Sequence, residues 1–461
     1  MAVNLTFCGG VRTVTGSMHL LEVDGQNIII DAGLFQGHRE DYYKINSYFG
    51  FNPHQVDAAV ISHSHIDHCG NLPNLIKSGF KKKIFLTQPT KDLCRLMLLD
   101  SAHIQEEDIK FVNKINERKG LPPRRPLYTT EDANKAFKNM RAVAYKKKFK
   151  LTEDVNCTFY NSGHVLGSVV PFFEAKGIKI AYAVDLGRKD IPLLRDPDIL
   201  SDVDYLIIES TYGGRGHEPV KEAKSKLTDA INRTVARNGK IIIPSFALER
   251  TQEVVYYLGR LIKEKKIKPL PIYVDSPLAC NITDVFVESK EYLDSVTKAM
   301  MTRNSDPFGL NSIHYIRETE ESKRLNFIKE PMIIISTSGM CEAGRILHHL
   351  RNNIEDERNT ILVVGYMAKN TLGKHLVEKR RRVKIFGEPF QLRAEVEVIN
   401  SFSAHADKDD LVEYVRATGG SLKKVFIVHG DMDQSEALAE NLRNNNFRAH
   451  IPKKYETVEL V

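Results

Sequence analysis

The sequence predicts an α/β fold in two parts, and three observations carry that reading. Short Val- and Ile-rich runs broken by Gly or Asp-Gly open the chain, as in a strand-rich domain. Beyond residue 210, apolar runs alternate with amphipathic stretches, the signature of a parallel sheet with helical crossovers. Finally, 461 residues exceed what one hydrophobic core usually covers, so two domains are expected.

In chain order, Asn4 to Phe7, Met18 to Val23 and Asn27 to Ile30 read as short strands, punctuated by Gly9-Gly10, Asp24-Gly25 and Gly33. The apolar run Ala58 to Ile61 is a further strand ending at Ser62, and a helical stretch follows. Thr90 to Arg118, with Leu93, Leu96, Met97 and Leu99 on an apolar face, is a longer helix or a pair of helices, closed by Lys119-Gly120-Leu121-Pro122-Pro123. Ile178 to Val184 is another apolar run. In the middle block Lys240 to Phe246, Pro271 to Val274, Met332 to Ser336 and Thr360 to Tyr366 are buried strands, while Lys221 to Arg237, Glu249 to Lys266 and Gly344 to Ile354 are helices. Val425 to Val428 closes the strand set, and a helix is expected around Gln434 to Arg443.

Composition excludes some classes and leaves others open. The formal charge of +7 is modest, but basic residues cluster at Lys81-Lys82-Lys83, Lys146-Lys147-Lys148, Lys263-Glu264-Lys265-Lys266 and Lys379-Arg380-Arg381-Arg382. Such runs usually form solvated faces, and only some line a cleft that attracts phosphates. Six scattered cysteines without a C-x-x-C pair read as reduced thiols. The amino terminus has no basic region followed by a long apolar segment, and no stretch approaches a membrane span, so a cytoplasmic protein is expected.

The chemistry concentrates in His63-Ser64-His65-Ile66-Asp67-His68, three imidazoles and a carboxylate directly after a strand. Side chains leaving a strand end alternate in direction, so His63 and His65 aim at one metal while Asp67 and His68 reach a second. Two ions need more ligands than that loop holds. Candidates stand at other strand ends: His164 in Asn161-Ser162-Gly163-His164, Asp185 before Leu186-Gly187, and His429 before Gly430. Asp31, which ends Ile28-Ile29-Ile30, is suited to orienting a ligand by accepting a hydrogen bond from an imidazole.

Asp31, the His-x-His-x-Asp-His run, His164 and Asp185 together resemble the metallo-β-lactamase superfamily. Glu209 in Ile208-Glu209-Ser210-Thr211-Tyr212-Gly213, His405 in Asn400-Ser401-Phe402-Ser403-Ala404-His405-Ala406-Asp407, and His429 are similar to the three signature positions of its β-CASP branch, nucleases related to the mRNA 3′-end cleavage subunit and RNase J. The resemblance spans nearly the whole chain. It implies a metallo-β-lactamase αββα sandwich (1–210 and 389–461) interrupted by an inserted β-CASP α/β domain (211–388), with substrate held in the cleft between them. It further implies two zinc ions, one on His63, His65 and His164, the other on Asp67, His68 and His429, bridged by Asp185 and by a water or hydroxide that acts as nucleophile. His405 would protonate the leaving oxygen and Glu209 would orient it. A histidine at the third signature position, absent from the DNA-directed branch, favours RNA.

Strand-to-helix junctions of the insertion offer phosphate cradles: Ser336-Thr337-Ser338-Gly339 before Arg345, Ser245 to Arg250, and Thr371-Leu372-Gly373-Lys374. The expected function is therefore zinc-dependent endonucleolytic hydrolysis of single-stranded RNA. Because the chain stops at Val461, where RNase J relatives continue, internal cutting is favoured over 5′-to-3′ trimming. A thioester or lactone hydrolase and a non-catalytic RNA-binding scaffold are the other classes, and the resemblance admits a homodimer.

Overall fold

In the computed structural model, residues 2–37, 39–303, 305–365, 367–368 and 370–461 are described. Tyr366, the expected end of one strand, lies outside them. The chain divides into two compact units, one of Met1–Lys189, Asp196–Gly216 and His405–Val461, the other of Asp190–Arg195 and His217–Ala404.

The first unit is built on two seven-stranded sheets. In one, Val3–Gly9, Met18–Val23 and Gln26–Ile30 form an antiparallel meander, extended in parallel by Val56–Val60, Lys83–Leu86 and Met140–Ala142. In the other, Val155–Asn161, Val169–Ala175 and Ile178–Ala183 run antiparallel, while Tyr205–Ile208 and Lys424–Ile427 add parallel strands. Period-two alternation sorts their side chains into layers. Ile28, Ile30 and Val60 meet Tyr182, Ile207 and Phe426 between the sheets. On the opposite faces Ile29, Ala59 and Ile61 pack under helical Leu72, Cys94 and Leu98, and Leu206, Ile208 and Ile427 pack under Leu411, Val415 and Leu438. That is helix, sheet, sheet, helix, the αββα sandwich. Thr90 to Arg118 belongs to one continuous helix, Gln88–Arg118, whose Thr87 side chain accepts from Thr90 N.

The second unit carries a six-stranded sheet in the order His314–Ile316, Ile272–Asp275, Ile333–Ser336, Ile241–Pro244, Thr360–Val363, Glu395–Val398, every neighbouring pair parallel. Helix Val220–Ala236 leads into its first strand, and Arg250–Lys263 and Arg345–Asn353 are among its crossovers. The strand expected over 240–246 stops at Pro244, which has no N–H to extend a ladder. Glu395–Val398 pairs with Thr360–Val363 and so belongs to this unit, and the first unit resumes at His405. Among the described residues no helix is long and apolar enough to cross a membrane.

Candidate metal centre

The site is assembled where strands of the first unit end. Val56–Val60 runs out into Ser62, His63, Ser64 and His65, and a single helical turn, Ile66–Cys69, carries Asp67 and His68. Asp31, Asp185 and His429 each follow a strand closely and turn the chain with φ of 59°, 56° and 46°. Asp and His tolerate this left-handed conformation better than the β-branched residues of the strands before them. The loops are then laced together by close backbone approach. A Cβ on Gly33 would lie 1.7 Å from the carbonyl oxygen of Asp67, and one on Gly187 would lie 2.0 Å from that of Gly163. Only glycine fits at either place, and each lies within three residues of a site side chain.

Among the described residues three overlapping groups of candidate ligand atoms result, one of them Asp185, Glu209 and His429. His63, His65, His164 and Asp185 place one donor atom each within 4.8 Å of one another, and so do Asp67, His68 and His429. Nε2 of His63 and Nε2 of His164 both stand 3.2 Å from Nδ1 of His65. Nε2 of His68 stands 3.3 Å from Nε2 of His429, which is 3.4 Å from Asp67 Oδ2. Asp185 Oδ2 touches both groups, 3.3 Å from His63, 3.4 Å from His164 and 3.4 Å from His68. Imidazole nitrogens aimed at one another in a buried centre leave lone pairs facing lone pairs, an arrangement a cation resolves; the donor set of nitrogens and carboxylates suits a zinc-type ion.

Electrostatics agree. Burial pushes His65 down to about 3, with the neighbouring His63 adding to the effect, and burial likewise lowers His63 and His164, which favours the neutral imidazole a metal needs. For His429 burial acts downward too, but the Asp185 charge and hydrogen bonds to Asp185 and Asp67 outweigh it and raise the ring to about 10. His68 is raised in the same way by Asp185 and Asp31. The Asp185 carboxyl, despite burial, is held well below its usual range, foremost by His429 and His68. Where protons balance this charge, a bound cation would displace them.

Asp31 lies one layer out. Its carboxylate accepts from Ser62 N at 2.7 Å, Ser62 Oγ at 2.8 Å, His68 Nδ1 at 2.7 Å and Tyr182 OH at 3.0 Å, all fully buried. With Nδ1 occupied, His68 presents Nε2 to the centre. Ser62 Oγ also meets His63 Nδ1 at 3.0 Å, which directs His63 Nε2 inward. Neither Ser62 nor Tyr182 was singled out from the sequence. Alternation along Ile178–Ala183 does place Tyr182 inward, and a buried phenol needs a partner, which was the available signal.

His405 sits at the rim, partly exposed, its ring centre 4.5 Å from that of His164. Its Nδ1 lies 3.2 and 3.1 Å from the two oxygens of Glu209, which is itself fully buried and accepts from Leu186 N. Burial lowers His405, but the Glu209 charge and hydrogen bond, with Asp185 behind them, raise it overall.

The phosphate candidates fall in the second unit, and most of their polar atoms are engaged within it. Ser336 Oγ donates to Asp275 O at 2.8 Å, and Ser245 Oγ to Phe246 O at 3.3 Å. Arg345 Nη1 binds Asp275 Oδ1 at 2.7 Å and its Nη2 the Arg317 carbonyl, a fold-holding role. Arg250 pairs with Glu253 and lies over the Phe402 ring. Ser338 Oγ accepts from Glu342 N, Gly339 lies flat against the Phe246 ring, and Lys374 is half-buried near Glu378.

Comparison with known proteins adds to this geometry. Family models match a metallo-beta-lactamase superfamily domain at 20–204, a Beta-Casp domain at 251–376 and a Zn-dependent metallo-hydrolase RNA specificity domain at 390–452. A ribonuclease of Thermus thermophilus is 32% identical over 434 residues, covering 94% of both chains. An RNase J-like protein of Methanocaldococcus jannaschii is 32% identical, covering 95% of this chain and 94% of its own. An endoribonuclease of Eremothecium gossypii is 29% identical over 95% of this chain and 56% of its own. With two buried ligand groups sharing Asp185 and relatives that align from end to end, the chain belongs to the β-CASP ribonuclease branch of the metallo-β-lactamase superfamily.

Proposed function

We propose that the protein is a two-zinc endoribonuclease that hydrolyses phosphodiesters of single-stranded RNA, leaving a 5′-phosphate and a 3′-hydroxyl. The observation that carries this is the pair of buried ligand groups joined by Asp185, with the His405–Glu209 pair at their edge. His63, His65 and His164 would hold one ion, Asp67, His68 and His429 the other, and Asp185 both. When bound, such a pair of cations lowers the pKa of water to near neutrality and neutralises charge on the attacked phosphate.

The chain's own groups account for the rest. Asp31 and Ser62 fix which nitrogen His68 and His63 turn inward. Glu209 holds a proton on His405 Nδ1, so His405 exchanges its proton through Nε2, delivering it to the departing ribose 3′-oxygen. RNA as substrate is supported by the RNA specificity domain match and by relatives named as ribonucleases. The RNase J-like relative supports 5′-to-3′ trimming as a second reading.

The test pairs elemental analysis of the purified protein with a product gel from RNA labelled at its 5′ end or internally. Two equivalents of zinc and discrete internal fragments are expected. Mononucleotides released only from accessible 5′ ends would replace internal cutting by trimming. Bound metal without RNA cleavage would overturn the nuclease reading in favour of a small-substrate hydrolase.

A further inference from the structure

The long helix of the first unit ends in a concentration of positive charge that the metal centre does not use. Residues 110–125 contain Lys110, Lys114, Arg118, Lys119, Arg124 and Arg125 against a single acid, Glu117. Lys110 pairs with Glu107, but among the described residues none of the other five forms an ion pair, although Glu117 is within the same turns. Lys110, Lys114 and Arg118 follow one another at four-residue intervals on one helix face, where like charges repel and cost helix stability. Arg118 and Lys119 stand in and just past the helix's last turn, where the helix dipole favours positive charge.

The charges are also held in place. The helix closes with Gly120 N on Glu117 O at 3.1 Å and Leu121 N on Asn116 O at 2.9 Å. Asn113 then clasps Arg124 twice, Nδ2 to Arg124 O at 3.0 Å and Arg124 N to Oδ1 at 2.8 Å, while Asn116 Nδ2 donates to Pro122 O at 3.1 Å. Pro122 and Pro123 stiffen the returning strand of chain. Arg124 and Arg125 are thereby pinned beside the helix end that carries Arg118 and Lys119. On the same stretch Phe111 is 62% exposed and Leu121 53% exposed, which leaves an aromatic ring and an aliphatic side chain open to a ligand.

We propose that this arm is a second contact for single-stranded RNA, separate from the metal centre, in which Arg118, Lys119, Arg124 and Arg125 bind phosphates and Phe111 stacks on a base. The inference rests on the RNA reading above and deepens it. Cations that track a backbone beside an exposed aromatic ring are the chemistry of sequence-tolerant single-strand binding.

Binding of the full-length, metal-loaded protein to labelled homopolymeric RNA is measured by fluorescence anisotropy across a salt series in the His405→Ala background, so that cleavage is slow, and cutting by the parent is read on a gel in parallel. Replacing Arg118, Lys119, Arg124 and Arg125 together by Gln is expected to weaken binding about tenfold or more and to flatten the slope of log affinity against log salt by about 3, four phosphates on a single strand. Phe111→Ala is expected to weaken binding with the slope unchanged, because stacking releases no counterions. Both side-chain sets are exposed, so melting temperatures should match the parent. Parental affinity and slope in both variants would overturn the proposal, as would loss of binding to anionic lipid vesicles with RNA binding intact. A parent that binds RNA through the arm but never cuts it would sink the nuclease reading alone.

Discussion

Asp31 shows how a residue outside the ligand set decides the chemistry. Its carboxylate hydrogen-bonds Ser62, His68 and Tyr182, and through them it sets the orientation of one ring in each candidate ligand group. Asp31→Ala is expected to lower metal affinity roughly 10- to 100-fold, the usual cost of removing an orienting partner, read by titration with a competing chelator. Tyr182→Phe should fall in the same direction by less, since three donors remain. His405→Ala, by contrast, is expected to keep both ions by elemental analysis while turnover drops about 10²- to 10⁴-fold; loss of metal in that variant would place His405 among the ligands. At this scale the histidines and acids were legible because their types and their position after strands are rare. Ser62 and Tyr182 were not, because a serine or an inward tyrosine becomes a site residue only through what another sheet brings opposite it.

Among elements, strand ends and the turns that follow them do the positioning. Gly33→Ala would drive a methyl group into the Asp67 backbone, so the variant is expected to lose metal from the Asp67, His68 and His429 group before it loses secondary structure, with metal content and circular dichroism read side by side. The helix Lys408–Thr418 starts three residues beyond His405 with Asp407 as its cap, accepting from Asp409 N and Asp410 N. Asp407→Ala is expected to cost about 1 kcal/mol in denaturant unfolding, the ordinary worth of such a cap. Many strands and helices were readable from periodicity with ends displaced by a few residues, while Val155–Asn161, Val169–Ala175, Pro277–Glu288 and Lys408–Thr418 were not read. The sheet that Glu395–Val398 joins was not readable, because that strand alternates apolar and charged residues and declares its sheet only by pairing with Thr360–Val363.

Over the whole molecule, the two units should respond to different perturbations. Metal binds only the folded first unit, so chelation is expected to lower the transition of that unit in calorimetry and leave the second where it was. The second unit depends on Asp275, a buried carboxylate bound by Arg345, His349 and Ser322. Burial alone would raise its pKa, but the hydrogen bonds of His349 and Ser322, the His349 charge and the Arg345 bond bring it below its ordinary value. A carboxyl depressed in the folded state contributes stability that is complete above its unfolded pKa, about 3.9, and is lost as pH falls through the lower folded value. Asp275→Asn is accordingly expected to destabilise by about 3 kcal/mol or more near neutral pH, as broken buried pairs do, and the melting-temperature gap to the parent should narrow below about pH 4.

By itself the sequence determined the α/β class, the alternating and buried strand patterns, and a set of histidines and acids at strand ends, since each is a local matter of side-chain period and residue type. Tertiary structure decided what no window of sequence contains: that residues as far apart as His63, His164 and His429 converge on Asp185, that Arg345 meets Asp275 from a distant strand, and that two asparagines pin a basic loop to a helix end. The physical reason is common to all three. A polar group's role depends on which partner meets its hydrogen-bonding and charge requirements, and in a folded chain that partner is chosen by packing across the molecule, not by neighbours in sequence.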